Sequence, residues 1–590
     1  MRQFVKYVLA TITGIFLMMV VFGIFIFSVA TGLASSVNKK VAMPDNTILE
    51  LEIKNMIVDN SSDDPFQYFI AGGQDLSSTS VSKIRNTLRQ AKGDDKVKGV
   101  FLKIGPFDGG FASLQEIRQS ISDFKTSGKF VYAHADYLDE KGFYLASAAD
   151  SLFMNPAGDF FLNGFSSNII YFKEALDKMG VKMQAIRVGE YKGAVEPYVT
   201  NTMSEENKSQ IQAYIDELYS IFITEAAQGI DMPAKELRAM ADNFTIKSVD
   251  DAVDKGLVNA TLFIDEVKAQ FAKRSGLDQD ELKFVSYKRY HAPFNKDVEI
   301  EKDKRIALIY ADGEIGMGKG VYGSIGSEGL SETLRKVRND KSISAVVLRI
   351  NSPGGSSLAS DIIWREVKLT QETKPVIVSM GDVAASGGYY IAVAADTIVA
   401  QPSTVTGSIG VFLIMPNAQE LMEDKLGLHT QTVKTGPYAD FGSIDRPLKE
   451  EERGFLQGYA DRVYSDFITK VAEGRSMAKD SVDKIAKGRV WVATQAKELN
   501  LVDVLGNLDT AIQIAKWKAG ITKKVRLDIY PKPQNPIEML MNYKGQIKTN
   551  ALKEELGPIY GFWKMLSQYA SSESKGVNVQ MRLPFELQLN

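Results

Sequence analysis

Short apolar runs alternate with longer amphipathic segments along most of this chain. The runs Ile306–Tyr310, Ala345–Ile350, Val376–Met380 and Thr397–Ala400 are rich in Val and Ile and bounded by Gly, Pro or Asp. That pattern predicts strands buried on both faces. Between such runs the apolar residues take helical spacing. Ile211, Ile215, Leu218 and Phe222 fall at i, i+4, i+7 and i+11, one face of a helix. Strands alternating with helices predict an α/β fold.

The two ends depart from this pattern. No charged residue lies between Tyr7 and Asn38, and Val8–Val29 is almost wholly apolar. A spanning helix needs about 20 apolar residues, whereas the core of a cleavable signal has about 7–15. The length favours an uncleaved membrane anchor over a signal cut after Gly32-Leu-Ala34. Arg2 and Lys6 precede the span, Lys39 and Lys40 follow it, and the amino terminus tips the balance slightly toward a cytoplasmic N-terminus. The bulk of the chain is then expected across the membrane. At the other end Val577, Val579, Met581, Leu583, Phe585, Leu587 and Leu589 alternate with polar residues or Pro584. This predicts a strand buried on one face. Pro584 lacks an N–H, which points to a sheet edge, on its own domain or across a subunit contact.

The pattern repeats. Gly381-Asp-Val-Ala-Ala-Ser-Gly-Gly-Tyr-Tyr390 has a degenerate copy, Ala135-Asp-Tyr-Leu-Asp-Glu-Lys-Gly-Phe-Tyr144, and both run into Ala-Ala-Asp, ending at Asp396 and Asp150. Val100–Ile104 parallels Val346–Ile350, Tyr219–Thr224 parallels Tyr464–Thr469, and Ala252–Val258 parallels Ala496–Val502. The offset stays near about 245 residues throughout, far too long for a solenoid, so two homologous domains are expected. The expected layout is an anchor over 1–38, repeats over 45–275 and 305–525, a linker over 276–304 and a C-terminal extension over 526–590.

Composition removes several function classes. A net charge of −3 gives no reason to expect nucleic acid as a partner. The absence of cysteine excludes disulfides, thiol catalysis and cysteine zinc sites. Only His134, His291 and His429 are present, none at ligand spacing from another His or a carboxylate, so no metal or other cofactor is expected. Gly313–Gly320 nearly matches a phosphate-binding loop, but Gly320 stands where a magnesium-binding Ser or Thr belongs. A glycine-rich surface loop near a cleft is the better expectation.

The chemistry concentrates in two glycine-rich turns. Asn351-Ser-Pro-Gly-Gly355 follows a predicted strand, where adjacent glycines let a ligand approach backbone N–H groups. Ala384-Ala-Ser-Gly-Gly388 lies between a strand and a helical run. Ser386 in such a turn, with a free N–H after it, is a candidate nucleophile, although small serines in turns are often structural. A nucleophilic serine needs a base. With three histidines a Ser-His-Asp triad is disfavoured, and Ser-Lys is the alternative. The repeat supplies a candidate. Lys192 in Val188-Gly-Glu-Tyr-Lys192 stands opposite Ala439, while Ser386 stands opposite Glu140. One copy holds the lysine and the other the serine. Judged alone, Lys192 reads equally as a solvated surface residue.

Four segments together carry a resemblance: Tyr191-Lys-Gly-Ala-Val-Glu-Pro197, Asn351–Gly355, Ala384-Ala-Ser-Gly-Gly-Tyr389 and Thr406-Gly-Ser-Ile-Gly410. In this order they resemble the signal peptide peptidase A family, in its long duplicated form, from the anchor through about Lys524. The resemblance implies two tandem domains of the Clp protease/crotonase type, built from β-β-α units, after one transmembrane helix. It implies a Ser-Lys endopeptidase that degrades cleaved signal peptides at the cell inner membrane, single-pass, with its catalytic part on the periplasmic side. It implies a homotetramer enclosing its active sites in a bowl. By position, Ser386 is then the nucleophile, Lys192 the general base and Ser408 the group that orients the amine. The N–H groups of Gly355 and Gly387 form the oxyanion hole. A crotonase-like acyl-CoA enzyme and a non-enzymatic membrane scaffold are the alternatives, and neither accounts for a serine and a lysine retained in complementary copies.

The dyad makes a physical demand. An ordinary lysine has a pKa of about 10.4, so at pH 7 only about one in 2,500 is neutral. A general base needs roughly 7–8, which burial can supply. Lys192 is therefore expected to be buried without a carboxylate partner, and nearby Glu196 to point elsewhere.

Overall fold

A computed structural model describes residues 43–60, 78–290, 300–320, 323–532 and 580–582, with scattered helical positions between 3 and 21. Half of the expected anchor Val8–Val29 lies outside these residues. Among the described residues no helix is long and apolar enough to cross a membrane.

Two mainly parallel sheets form the body; in the second, Val405–Gly407 pairs antiparallel with Val490–Val492. The first runs in the order Thr79–Ser80, Thr47–Val58, Val97–Asp108, Phe130–Leu138, Ser151–Phe160, Ala260–Thr261, with Lys283–Ser286 beside Thr47–Val58. The second runs Val490–Val492, Val405–Gly407, Val376–Ala385, Ile343–Ser352, Ile300–Asp312, Lys524–Tyr530, with Thr397–Ala400 beside Val376–Ala385. The predicted strands are all present, most of them longer than the apolar runs that signalled them. Stretches expected as linker and tail also carry strands, Lys283–Ser286 and Lys524–Tyr530.

Continuous apolar runs arise because both faces of each sheet are covered. In the first sheet Leu49, Leu51, Val100 and Leu102 pack with helix residues Ile84, Leu114 and Phe222, while Ile48 and Phe101 pack on the opposite face with Val267 and Phe271. The second sheet repeats the arrangement. Ala307, Ile309, Val346 and Leu348 join Leu334, Ile363 and Phe467, while Ile306, Leu308 and Val347 face Leu508, Ala511 and Ala515. The predicted helix face lies on Glu205–Gly229, with Ile211, Leu218 and Phe222 buried and Ile215 half-buried.

The repeats are not independent bodies. Ala385, Val405, Val490 and Val492 from the second belong to the core of the first, and Ile186 from the first belongs to the core of the second. Helix Phe111–Lys125 begins at Gly110, which has no side chain to cap it. The cap comes from the other repeat: Asp382 accepts hydrogen bonds from the Ser113 N–H at 2.8 Å and its hydroxyl at 2.6 Å.

A third, mixed sheet joins everything. Its order is Ser324–Gly326, Glu314–Gly316, Gly354–Ser356, Gln580–Arg582, Val411–Asn417, Lys182–Val188. The glycine-rich loop at 313–320 therefore contributes a strand beside the Gly354–Ser356 turn, and the next helix starts only at Ser327. The C-terminal alternation does produce a strand, with Met581 buried between half-buried neighbours. Its position corrects the edge expectation: Gln580–Arg582 pairs on both sides, with Gly354–Ser356 and with Phe412. Pro584, the reason for expecting an edge, lies outside the described residues.

Candidate active site

Three strand ends converge on one point. Ala385 and Gly407 are partners in the parallel pair of Val376–Ala385 with Val405–Gly407. The residues that follow, Ser386 and Ser408, thus emerge side by side. Val188 is the antiparallel partner of Val411. Lys192, four residues past Val188, and Ser408, three before Val411, therefore sit beyond the same end of that pair. Lys192 Nζ lies 2.8 Å from Ser386 Oγ, 2.8 Å from Ser408 Oγ and 2.9 Å from the Ser408 carbonyl oxygen.

All three side chains are 0% exposed. Burial alone pushes the Lys192 amine well below the ordinary lysine value, and no charged neighbour offsets it. Glu196 does point elsewhere. Its carboxylate takes the Ser204 hydroxyl at 2.5 Å, Asn207 Nδ2 at 3.0 Å and Arg187 at 3.2 Å. A neutral amine has two hydrogens and one lone pair. The Ser408 carbonyl can only accept, and Ser408 Oγ accepts the second hydrogen. The lone pair is left for the Ser386 hydroxyl.

Backbone strain marks the same residues. Ser386 has φ 54° and Ser408 φ 50°, a region non-glycine residues seldom occupy. The Ser386 N–H is held by the Gly407 carbonyl at 2.8 Å, and the Ser408 N–H by the Arg489 carbonyl at 2.7 Å. Helix Gly387–Ala392 starts at Ser386 with no side-chain cap, so the Gly387 N–H has no partner within the helix.

Gly355 lies on the neighbouring strand, its nitrogen 3.2 Å from where a Gly387 Cβ would stand. Its φ of +153° and the Ile315 carbonyl oxygen, 2.1 Å from any added Cβ, admit no side chain. With Gly355 as the oxyanion donor that the resemblance implies, Gly355→Ala should shift this strand and lower kcat by about 10²–10³. Steady-state kinetics check this, and an unchanged kcat removes Gly355 from the site.

The opposite position in the first repeat has become structural. Glu140, aligned with Ser386, is buried and accepts the N–H groups of Asn163 at 2.7 Å and Gly164 at 2.9 Å. Burial raises its pKa, against those hydrogen bonds.

The sequence pattern of peptidase family S49 matches this chain twice, over residues 123–278 and 368–522, at the spacing of the internal repeat. The chain belongs to peptidase family S49. It is a serine peptidase, with the family's domain duplicated. Residues 287–425, which span both glycine-rich turns, also match the pattern of ClpP-like SDH-type serine proteinases. Relatives cover most of this S49 peptidase. The chloroplastic serine protease SPPA of Arabidopsis thaliana is 36% identical over 478 residues, 79% of this chain and 70% of that protein. Protease 4 of Salmonella typhi is 34% identical over 509 residues, 84% of this chain and 82% of its own length. Protease 4 of Haemophilus influenzae is 34% identical over 450 residues, 73% and 71% of the two chains.

Lys487 and Gly488, which hold the lysine loop, lie outside all four motifs. Tyr191 N–H donates to the Lys487 carbonyl at 3.0 Å, and Gly488 N–H to the Ile409 carbonyl at 2.7 Å. A Cβ on Gly488 would meet Lys192 N at 2.7 Å. Segment 487–490 is thus wedged between the lysine and Ser408 loops. No sequence motif marks it.

Proposed function

We propose that this S49 peptidase cleaves peptide bonds with a Ser386–Lys192 dyad built across its two repeats, 45–275 supplying the lysine and 305–525 the serine. The observation that carries this reading is the buried amine 2.8 Å from Ser386 Oγ with no carboxylate beside it. Ser386 Oγ attacks the scissile carbonyl carbon while its proton passes to Lys192 Nζ. The oxyanion forms between the N–H groups of Gly355 and Gly387. As the intermediate collapses, Lys192 returns the proton to the leaving amine, and the acyl group stays on Ser386. Water, deprotonated by the same amine, then hydrolyses the ester. Ser408 takes both amine hydrogens and so orients the lone pair.

The substrates of this reading are cleaved signal peptides, supported by the resemblance of the four motifs around Lys192, Gly355, Ser386 and Ser408 to the signal peptide peptidase A family. An uncharged N-terminal stretch supports a single-pass anchor in the inner membrane, with the catalytic part on the periplasmic side and apolar peptides arriving from the bilayer. A homotetramer completes the proposal. The decisive experiment incubates the protein with an apolar peptide and seeks an acyl adduct on Ser386 by mass spectrometry. An adduct in Lys192→Met equal to that of the wild type, or wild-type turnover of the peptide by Ser386→Ala, sinks the dyad.

An extended substrate needs a strand position beside Gly354–Ser356. In this structure Gln580–Arg582 fills it, with Met581 opposite Gly355. A tethered competitor acts at about millimolar effective concentration. A chain ending at Lys532 should therefore show KM lower by about tenfold with kcat unchanged. A raised KM would show instead that the strand builds the cleft.

A further inference from the structure

We propose that Gln210 is a positioning residue that sets the distance from the Lys192 amine to both serines. Its side chain, 2% exposed, bridges the two repeats. Gln210 Nε2 donates to the Tyr191 carbonyl at 2.8 Å and to Asn207 Oδ1 at 2.8 Å, and Gln210 Oε1 accepts from the Val490 N–H at 3.2 Å. That N–H belongs to the same peptide group whose carbonyl, on Arg489, accepts from the Ser408 N–H at 2.7 Å. One unbroken path therefore runs from Ser408 through the 489–490 peptide and the Gln210 amide to the residue before Lys192.

Only an amide fits. It must give two hydrogens on one side and accept one on the other, and a carboxylate or a hydrocarbon of the same length fails on one count or both. The repeat supports the assignment independently. In the lysine-less copy the equivalent helix position holds Phe455, 58% exposed, which bridges nothing of this kind. The charged groups around the amide are few. Glu196 lies beyond Asn207 and is paired with Arg187, the Arg489 guanidinium lies over the Tyr191 ring, and Lys192 is the next residue along.

The inference rests on Lys192 acting as the base. The test measures labelling of Ser386 by a fluorophosphonate probe from pH 5 to 10, with peptide kinetics, in the full chain. Gln210→Leu is expected to lower kcat by about 10²-fold, the cost of a misplacement near 1 Å, with KM and the pH midpoint unchanged. Gln210→Glu puts a carboxylate next to the lysine loop and should move the midpoint up by about one unit. Thr494→Val removes a neighbouring tie from the same Gln210 helix, Glu217 to the helix Ala493–Glu498 that follows the Val490 strand, at 2.7 Å, and is expected to change none of these. Wild-type rates in both Gln210 variants beside a slow Lys192→Met overturn the inference alone. Lys192→Met labelling as fast as wild type overturns the base assignment and the inference with it. A Thr494→Val defect equal to that of Gln210→Leu reduces Gln210 to general adhesion and also overturns it. Should Gln210→Leu fail to fold, Gln210→Met carries the same test, and failure of every Gln210 variant to fold assigns the residue to the core instead.

Discussion

Ser386→Ala and Lys192→Met should each lower kcat on an apolar peptide by about 10⁴-fold or more, and the double variant should be no slower than either. In the proposed dyad the two groups act in one step, so removing either ends covalent catalysis and leaves only the oxyanion donors and substrate binding. KM should change little, because the strand that would bind substrate, Gly354–Ser356, is formed by neither side chain. Losses that multiply in the double variant would mean independent roles and exclude the dyad. Lys192→Met has a second expected effect, on stability. The folded amine titrates well below the ordinary lysine value because it is buried. Between that lowered value and about 10.4 the unfolded chain binds the extra proton, so stability rises with pH across this window. Methionine removes the linkage. The variant should melt roughly a few degrees higher at pH 7 and lose the advantage as pH approaches 10.5, as differential scanning calorimetry can show.

Arg349→Met should cost about 3–5 kcal/mol of stability, the range found when one partner of a buried ion pair is removed. Arg349 is 1% exposed and sits on the second repeat. Its guanidinium bonds Asp59 at 2.7 and 3.0 Å and Glu116 at 3.0 Å, both on the first, and it also donates to Ser379 Oγ and the Met380 carbonyl at 3.0 Å. Burial disfavours its charge, yet Asp59 and Glu116 outweigh burial and hold its pKa above the ordinary arginine value. The surroundings are acid-rich. Asp312 is pushed up to about 7 by burial and by Asp59 and Asp382. Without the arginine, Asp59 is left beside Asp312 as buried negative charge, which is greater above the Asp312 pKa than below it, while Glu116 keeps Arg85 at 3.1 Å. The loss should therefore be larger at pH 8 than at pH 5. Denaturant titrations at both pH values check the sign, and a loss under about 1 kcal/mol at pH 8 would mean that this ion cluster does not hold the repeats together. Because this cluster joins the two halves of the site, activity should fall with stability.

The residues of the proposed site were legible for a local reason. Ser386 announces itself through the small residues a positive-φ turn requires, and Gly355 through a strand end that tolerates no Cβ. Lys192 has no such signature and was found by comparing the copies, since Ala439 shows what the position becomes without a role. Gln210 could have been found in the same way, against Phe455. A helix pattern directs attention to its apolar face, however, and a polar residue there gives no sign of what it meets 280 residues away. The tail strand was legible as a strand and misplaced as an edge. Alternation reports burial of one side-chain face and says nothing about which backbones pair on either side.

By itself the sequence determined the duplication, the α/β class, the strands and the division of serine and lysine between copies. These follow from local periodicity and from turn chemistry, which neighbouring residues settle among themselves. Only the tertiary structure decided that Val188 pairs with Val411 and Ala385 with Gly407, and those two registers bring Lys192, Ser386 and Ser408 to one point. It likewise decided that the amine is buried and its pKa lowered, that Asp382 caps the other repeat's helix and that Met581 lies against Gly355. Register and desolvation depend on backbones and surfaces hundreds of residues apart, and no local pattern encodes which of them meet.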